Sequence, residues 1–177
     1  MYKRQQSNWT IASIWTWKEG ANWKNPYGDT TGVDGLGDHP VVHVSAEDAE
    51  AYAKWAGKRL PSVMEWDHIA KLDSRSGKEI TMNRWTGVFP YINSSEDGFV
   101  YTAPVGTYDP DPLNLFDIRG NVWEICKGEK GTYFLKGGSF LCHDSYCRGY
   151  NIENSQILHG KTSLIHTGFR CVKDHSE

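Results

Sequence analysis

Two helix-start signals stand close together in this chain, and after them the helical period stops. Ser45 with Asp48 three residues on, and Ser62 with Glu65, each form the serine-to-acid pattern in which the two residues cap one another's backbone donors. Behind the first signal Ala49, Tyr52, Ala53 and Ala56 fall on one face, with Gly57 as the stop. Behind the second, Trp66, Ile69 and Ala70 predict the buried face of a helix through about Lys71. From residue 73 to the end at residue 177 no further helix is predicted. Short β-like pieces ("VGTY", "TYFLKGGSF", "TGFRCV") alternate there with turn-rich loops. "VVHV" (41–44) reads as a short extended segment, and residues 18–40 as a loop crowded with Gly, Asn, Asp and Pro. The pattern predicts one α+β domain over residues 1–177, rich in turns, with its helices in the N-terminal half. Burial in such a fold comes largely from rings: the sequence holds 8 Trp, 9 Tyr and 6 Phe, with 18 Gly for its turns.

Charge excludes some partners. The net charge of −3, from 19 basic and 22 acidic residues without a long single-sign run, leaves no footprint for nucleic acid or an anionic membrane surface. No apolar stretch approaches the roughly 20 residues of a membrane span. The start of the chain has basic residues but no apolar core with a small-residue cleavage site, so the expectation is a cytoplasmic protein. The sequons at Asn8 and Asn93 carry no weight without secretion. Nucleotide-binding loops, zinc-protease helices and serine-hydrolase elbows have no counterpart in the sequence.

Three constellations carry chemistry. Cys142 and Cys147, with four residues between them, form the one cysteine pair that is close in sequence. They suit a small disulfide loop, a soft ion such as Cu(I), or thiol–disulfide exchange, and a protonated His143 nearby would lower a thiol pKa. Asn83 and Asp97 bracket "NRWTGVFPYINSSEDGF" (83–99), which reads either as a surface hairpin turning at Asp-Gly or as a hard-cation site built from oxygens. Asp117 and Glu124 flank "IRGNVW", again either a turn with solvated acids or a second cation site, with Trp123 as a pocket wall. "WAGKRLPSVMEW" (55–66) holds no nucleophile or base arrangement and reads as structural.

Taken in order, "KEGANWKNPYG", "DHPVVHVSAEDAEAYAKWAGKRLPSVMEW", "NRWTGVFPYINSSEDGF", "TAPVGTYDPDPLNLFDIRGNVWE", "KGGSFLCHDSYC" and "GFRC" resemble the formylglycine-generating enzyme (sulfatase-modifying factor) family. The resemblance implies a C-type-lectin-like fold with little regular secondary structure. It implies oxidation of a cysteine in a C-x-P-x-R segment of an unfolded sulfatase polypeptide to Cα-formylglycine, using O2 and a copper ion. The copper ligands would be Cys142 and Cys147, in a pocket lined by Ser139, His143, Tyr146 and Trp123. One Ca2+ would take side chains of Asn83 and Asp97 with carbonyls of Arg84 and Phe99. A second would take Asp117 and Glu124 with carbonyls of Gly120 and Val122.

Several features depart from the family pattern. The N-terminal part of the family domain is missing, as is a "PWG" segment after Trp66. Asn151 and Ser155 replace charges, His166 stands where an Asn is common, and the usual disulfide partner of Cys171 is Ala53. The same scaffold also hosts non-catalytic peptide- or glycan-binding modules, which is the rival expectation. Sulfoxide synthases sharing the fold would need a further iron-binding helical domain.

Overall fold

Both serine signals open helices. The structure, a computed structural model, describes residues 15–28, 32–74 and 81–174. Helix α1 spans Ala46–Trp55 and α2 spans Val63–Ser74, a few residues beyond the expected end. Ser45 Oγ accepts the Asp48 N–H at 3.1 Å while Asp48 Oδ2 accepts the Ser45 N–H at 2.9 Å. Ser62 and Glu65 repeat the exchange at 3.2 and 2.8 Å. The buried face of α1 is Ala46, Ala49 and Ala53. Tyr52, expected on that face, is 52% exposed, its ring against Trp55 and Phe169. Only the small side chains let the helix seat closely on its neighbours, and the tyrosine is displaced to the edge.

Among the described residues, six short strands follow. β1 (Gly87–Val88) and β2 (Ile92–Asn93) form a small hairpin. β3 (Trp123–Lys127), β4 (Tyr133–Lys136), β5 (Gln156–Leu158) and β6 (Thr167–Gly168) make one sheet in the order β5-β4-β3-β6. β3 runs antiparallel to β4 and parallel to β6, with Trp123 opposite Thr167. β3 has no counterpart among the expected pieces. "VGTY" is a turn rather than a strand, with Val105 N–H tied to Asp38 O at 2.7 Å. "VVHV" joins no sheet, because His43 takes a φ of +53° between the buried Val42 and Val44. Of "TGFRCV", only Thr167–Gly168 is strand. The expected hairpin exists, but it reverses at the cis Phe89–Pro90 bond, and Asp97–Gly98 forms a separate turn.

Alternation along β3 feeds two cores. Trp123 and Ile125 pack with Ala46, Ala49, Leu60, Leu135, Cys142 and Leu158. On the other side Cys126 packs with Trp66, Ala70 and Ile118. Asn121, 2% exposed, joins the loops: its N–H meets Asn83 O at 2.9 Å, its Oδ1 accepts Ala103 N–H at 2.9 Å, and its carbonyl accepts Phe140 N–H at 3.0 Å. These bonds hold three irregular segments against the sheet. Among the described residues, no helix is long and apolar enough to cross a membrane. The Asn8 sequon lies outside the described residues.

Candidate active site at the paired thiols

Gly137 and Gly138 steer the chain out of β4 into the thiol loop. Their φ values are +87° and +78°, and a Cβ on Gly138 would lie 2.5 Å from the Tyr150 nitrogen, so no side chain fits there. Beyond them, Cys142 N–H returns to Ser139 O at 2.9 Å and Cys147 N–H to His143 O at 3.0 Å. These two turns bring the sulfurs to 2.9 Å as free thiols, well beyond the roughly 2.05 Å of a disulfide bond. Cys142 is buried and Cys147 half-buried. A hydrogen bond from the Cys147 thiol, helped by backbone groups of Ser139 and Gly149 and by the Ser139 hydroxyl, outweighs burial and brings the Cys142 pKa down to about 7. Cys147 is pushed up by its neighbour and by burial. The hydrogen bond between the two sulfurs thus favours ionisation of Cys142 over Cys147.

The residues expected around the thiols divide into floor and rim. Ser139 and Trp123 form the floor, 0% and 1% exposed, with Trp123 in the same packed cluster as Cys142. Trp123 Nε1 is buried without a hydrogen-bond partner. His143 and Tyr146 lie at the rim, both parallel to the Phe89 ring, at centroid distances of 6.2 and 4.6 Å. His143 is tied to its own loop. Its Nδ1 is bound to Ser145 Oγ at 2.8 Å and accepts the Ser145 N–H at 3.2 Å.

Several site residues had no signal in the sequence. Phe89 arrives on the β1–β2 hairpin, which Trp85 N–H docks to Cys142 O at 3.1 Å. Trp85 meets Phe89 edge-on at 5.1 Å. Arg84 lies over the Tyr150 ring at 5.6 Å and faces Asp144 at 3.5 Å, while Tyr150 OH donates to Asp144. His166, noted only as a departure, holds Ser139 Oγ at 3.0 Å from its Nδ1. The long-range pairing of β6 with β3 puts it there.

The oxygen groups are partly assembled. Asp97 Oδ2 accepts the Arg84 N–H at 2.8 Å, which brings this carboxylate beside Asn83, and its Oδ1 accepts the Phe99 N–H. Asn83 Oδ1 is buried without a partner, although its Nδ2 donates to Tyr101 O at 2.8 Å. Asp117 Oδ1 is likewise buried and orphaned, its Oδ2 accepting the Gly106 N–H at 2.9 Å, and burial pushes this carboxyl up. Orphaned buried oxygens are what a hard cation satisfies. Tyr108, whose OH donates to Asp97 O at 3.2 Å, is pushed up to about 12 by burial and then by Asp97 and Asp117. The solvated-acid reading of Glu124 does not hold. It is 5% exposed, accepts Trp66 Nε1 at 2.8 Å, and is paired with Arg170. Asp117, Val122, Glu124 and Arg170 line a cavity of about 320 Å³. Among the described residues, no three His, Cys, Asp or Glu side chains converge, so any ion here rests on a pair plus amide or backbone oxygens.

Comparison with known proteins gives a consistent result. Residues 2–175 match the sulfatase-modifying factor enzyme 1-like domain. The formylglycine-generating enzyme of Streptomyces coelicolor is 40% identical over 193 residues, covering 92% of this chain and 62% of that protein. This chain thus spans less than two thirds of that relative's length. A bovine protein named inactive C-alpha-formylglycine-generating enzyme 2 is 40% identical over 62% of this chain and 40% of its own. Among solved structures, CarF superposes with a TM-score of 0.60 at 21% identity, covering 79% of this chain and 69% of that one, which establishes the fold alone.

Proposed function

The chain belongs to the sulfatase-modifying factor enzyme 1-like family, and we propose that it oxidises a cysteine in a C-x-P-x-R segment of an unfolded sulfatase to Cα-formylglycine. The carrying observation is the pair of free thiols 2.9 Å apart, one of them inclined to ionise near neutral pH. Two soft thiolates suit Cu(I), so the donor set fits a copper ion held by Cys142 and Cys147. When bound, that ion would supply the one-electron chemistry that reaction with O2 requires. The chain's own contribution is placement. Trp123 and Ser139 close the floor against water, and Phe89, His143 and Tyr146 present a rim on which an extended peptide would lie. Overall, the substrate CH2–SH, O2 and two reducing equivalents with two protons from an external reductant give the aldehyde, hydrogen sulfide and water.

Calcium is proposed as a structural ion. The first site would use Asn83 and Asp97 with carbonyls of Arg84 and Phe99, because Asn83 Oδ1 is buried and unsatisfied. The second would be led by Asp117, with carbonyls of Gly120 and Val122. Glu124 takes a lesser share there because Arg170 already neutralises it.

The test is incubation of reduced protein with copper, O2, a reductant and a C-x-P-x-R peptide, read by mass spectrometry. Cys142→Ser and Cys147→Ser should each abolish conversion and tight Cu(I) binding. Cys171→Ser, half-buried and unpaired with another cysteine, serves as the control that keeps both. Peptide binding without any conversion would favour a binding module on the same fold.

A further inference from the structure

We infer that Lys136 is a positioning residue for the thiol pair: its buried ammonium holds the Ile152 carbonyl and so fixes the segment that carries Cys147. The inference rests on the two-thiol reading above. Lys136 is 2% exposed, a costly place for a charge unless partners surround it. Its Nζ donates to Ile152 O at 2.7 Å. Asp67 Oδ1 lies 2.8 Å away and balances the charge as an ion pair, without a directed hydrogen bond. The Trp66 ring faces the ammonium, 5.3 Å from its centroid. Trp66 and Asp67 both stand on α2, so this lysine ties β4 and residue 152 to one helix. An apolar side chain would fill the same space without the cost of the charge, but it could not bond the Ile152 carbonyl.

The place of that carbonyl gives the bond its consequence. Residues 148–154 form two consecutive turns, in which Asn151 N–H returns to Arg148 O and Asn154 N–H to Asn151 O, both at 2.9 Å. Such turns set the local path of the chain but not its distance from the sheet. Gly149 sets that distance at one end, lying so close to Trp123 that a Cβ there would meet the indole at 2.3 Å. The Lys136 bond to Ile152 O sets it at the other, beside the packing of the Ile152 side chain around Trp66. Lys136 also directly precedes Gly137 and Gly138, which lead to Ser139 and Cys142. One residue therefore anchors both arms of the thiol loop. Its backbone, in β4 opposite Glu124, fixes the start of the Cys142 arm, and its side chain holds the end of the Cys147 arm. The sulfurs meet at 2.9 Å between these anchors.

Lys136→Met removes the donor and keeps the reach of the side chain. Combining it with Asp67→Asn also removes the carboxylate left without a counter-charge, which separates stability from positioning. The readout is the equilibrium of copper-free protein with glutathione: the two thiols reduce one glutathione disulfide to two glutathione thiols and form the Cys142–Cys147 bond, quantified by peptide mapping. Both lysine variants should shift this equilibrium about tenfold toward the dithiol, the scale of ordering roughly one residue of backbone. Amide hydrogen exchange should rise in residues 147–154 while β3 stays protected. Asp67→Asn alone keeps the donor and should stay within about threefold of the parent. An unshifted equilibrium in a folded lysine variant overturns the inference. So does a parent pair that stays reduced under conditions that oxidise a flexible dithiol peptide. If neither lysine variant folds, the parent decides: NMR of nitrogen-15- and carbon-13-labelled protein should show the Lys136 Nζ coupled to the Ile152 carbonyl carbon across their hydrogen bond, and no coupling overturns the inference. Conversion of the C-x-P-x-R peptide is measured separately. Its failure would remove the proposed activity, while the glutathione equilibrium still decides the role of Lys136.

Discussion

His166 stays neutral in the folded protein because it is buried, and this ties stability to pH through a single ring. Its pKa sits at about 3, below the usual value of 6.5, so the unfolded chain takes up the proton first as the solution is acidified. The contribution is fully present above about pH 6.5 and is lost as pH falls toward the folded value, by up to about 1.4 kcal/mol per unit. Between about pH 7.5 and 5.5 the parent should lose roughly 1.4 kcal/mol more than His166→Asn, measured by urea unfolding of both proteins. Equal losses would show that the imidazole is not held neutral. The comparison with the variant removes the contribution of the other titrating groups, His43 among them, which burial also shifts downward.

At the scale of the element, α1 matters because it is short and seats on the sheet through alanines alone. Ten residues give such a helix little stability of its own, so its capped first turn counts. Ser45→Ala removes the acceptor for the Asp48 N–H and should cost about 1 kcal/mol, seen as a lower urea midpoint with an unchanged slope. The start of α2 offers a contrast. Arg59 pairs there with Glu65 at 2.7 Å and with Asp174 at 2.6 Å, but all three side chains are well exposed. Arg59→Ala should therefore cost less than the cap, within about 1 kcal/mol. A larger loss at Arg59 than at Ser45 would reverse this ranking. The β1–β2 hairpin has a different importance: two residues per strand stabilise little, yet it carries Phe89 to the rim of the thiol site.

Across the whole molecule, irregular loops outnumber regular elements, and their order depends on buried polar junctions. Asn121 is one such junction, and the unsatisfied oxygens of Asn83 and Asp117 are where a bound cation would add others. If Ca2+ sits there at about a hundredfold above its dissociation constant, it contributes about 2.7 kcal/mol. A chelator should then lower the melting temperature by about 5–10 °C for a chain of this size. Asp97→Ala should melt lower even without calcium, because its carboxylate also accepts the Arg84 N–H, but its chelator response should shrink. A melting temperature indifferent to chelator would remove both calcium assignments.

Sequence alone determined what short-range spacing controls. Capping partners three residues apart meet in any helix start, so Ser45, Asp48, Ser62 and Glu65 announced both helices. The absence of a helical period announced the irregular remainder, and two cysteines with four residues between them were readable as one unit. Ordered motifs along the chain carried the family. Only the tertiary structure decided which residues far apart in sequence meet. β3 was illegible because "WEICK" is buried on both sides, so it lacks the alternation of a half-exposed strand, and its Glu124 is hidden by Arg170 and Trp66. Tyr52 fits the helical period of α1, yet the close seat on the sheet admits only alanine. Phe89 stacks on Tyr146, and His166 reaches Ser139, through docking that no local pattern encodes. Spacing decides which groups can cap or turn locally, whereas the competition among rings, buried oxygens and charges for one interior decides which of them share a site.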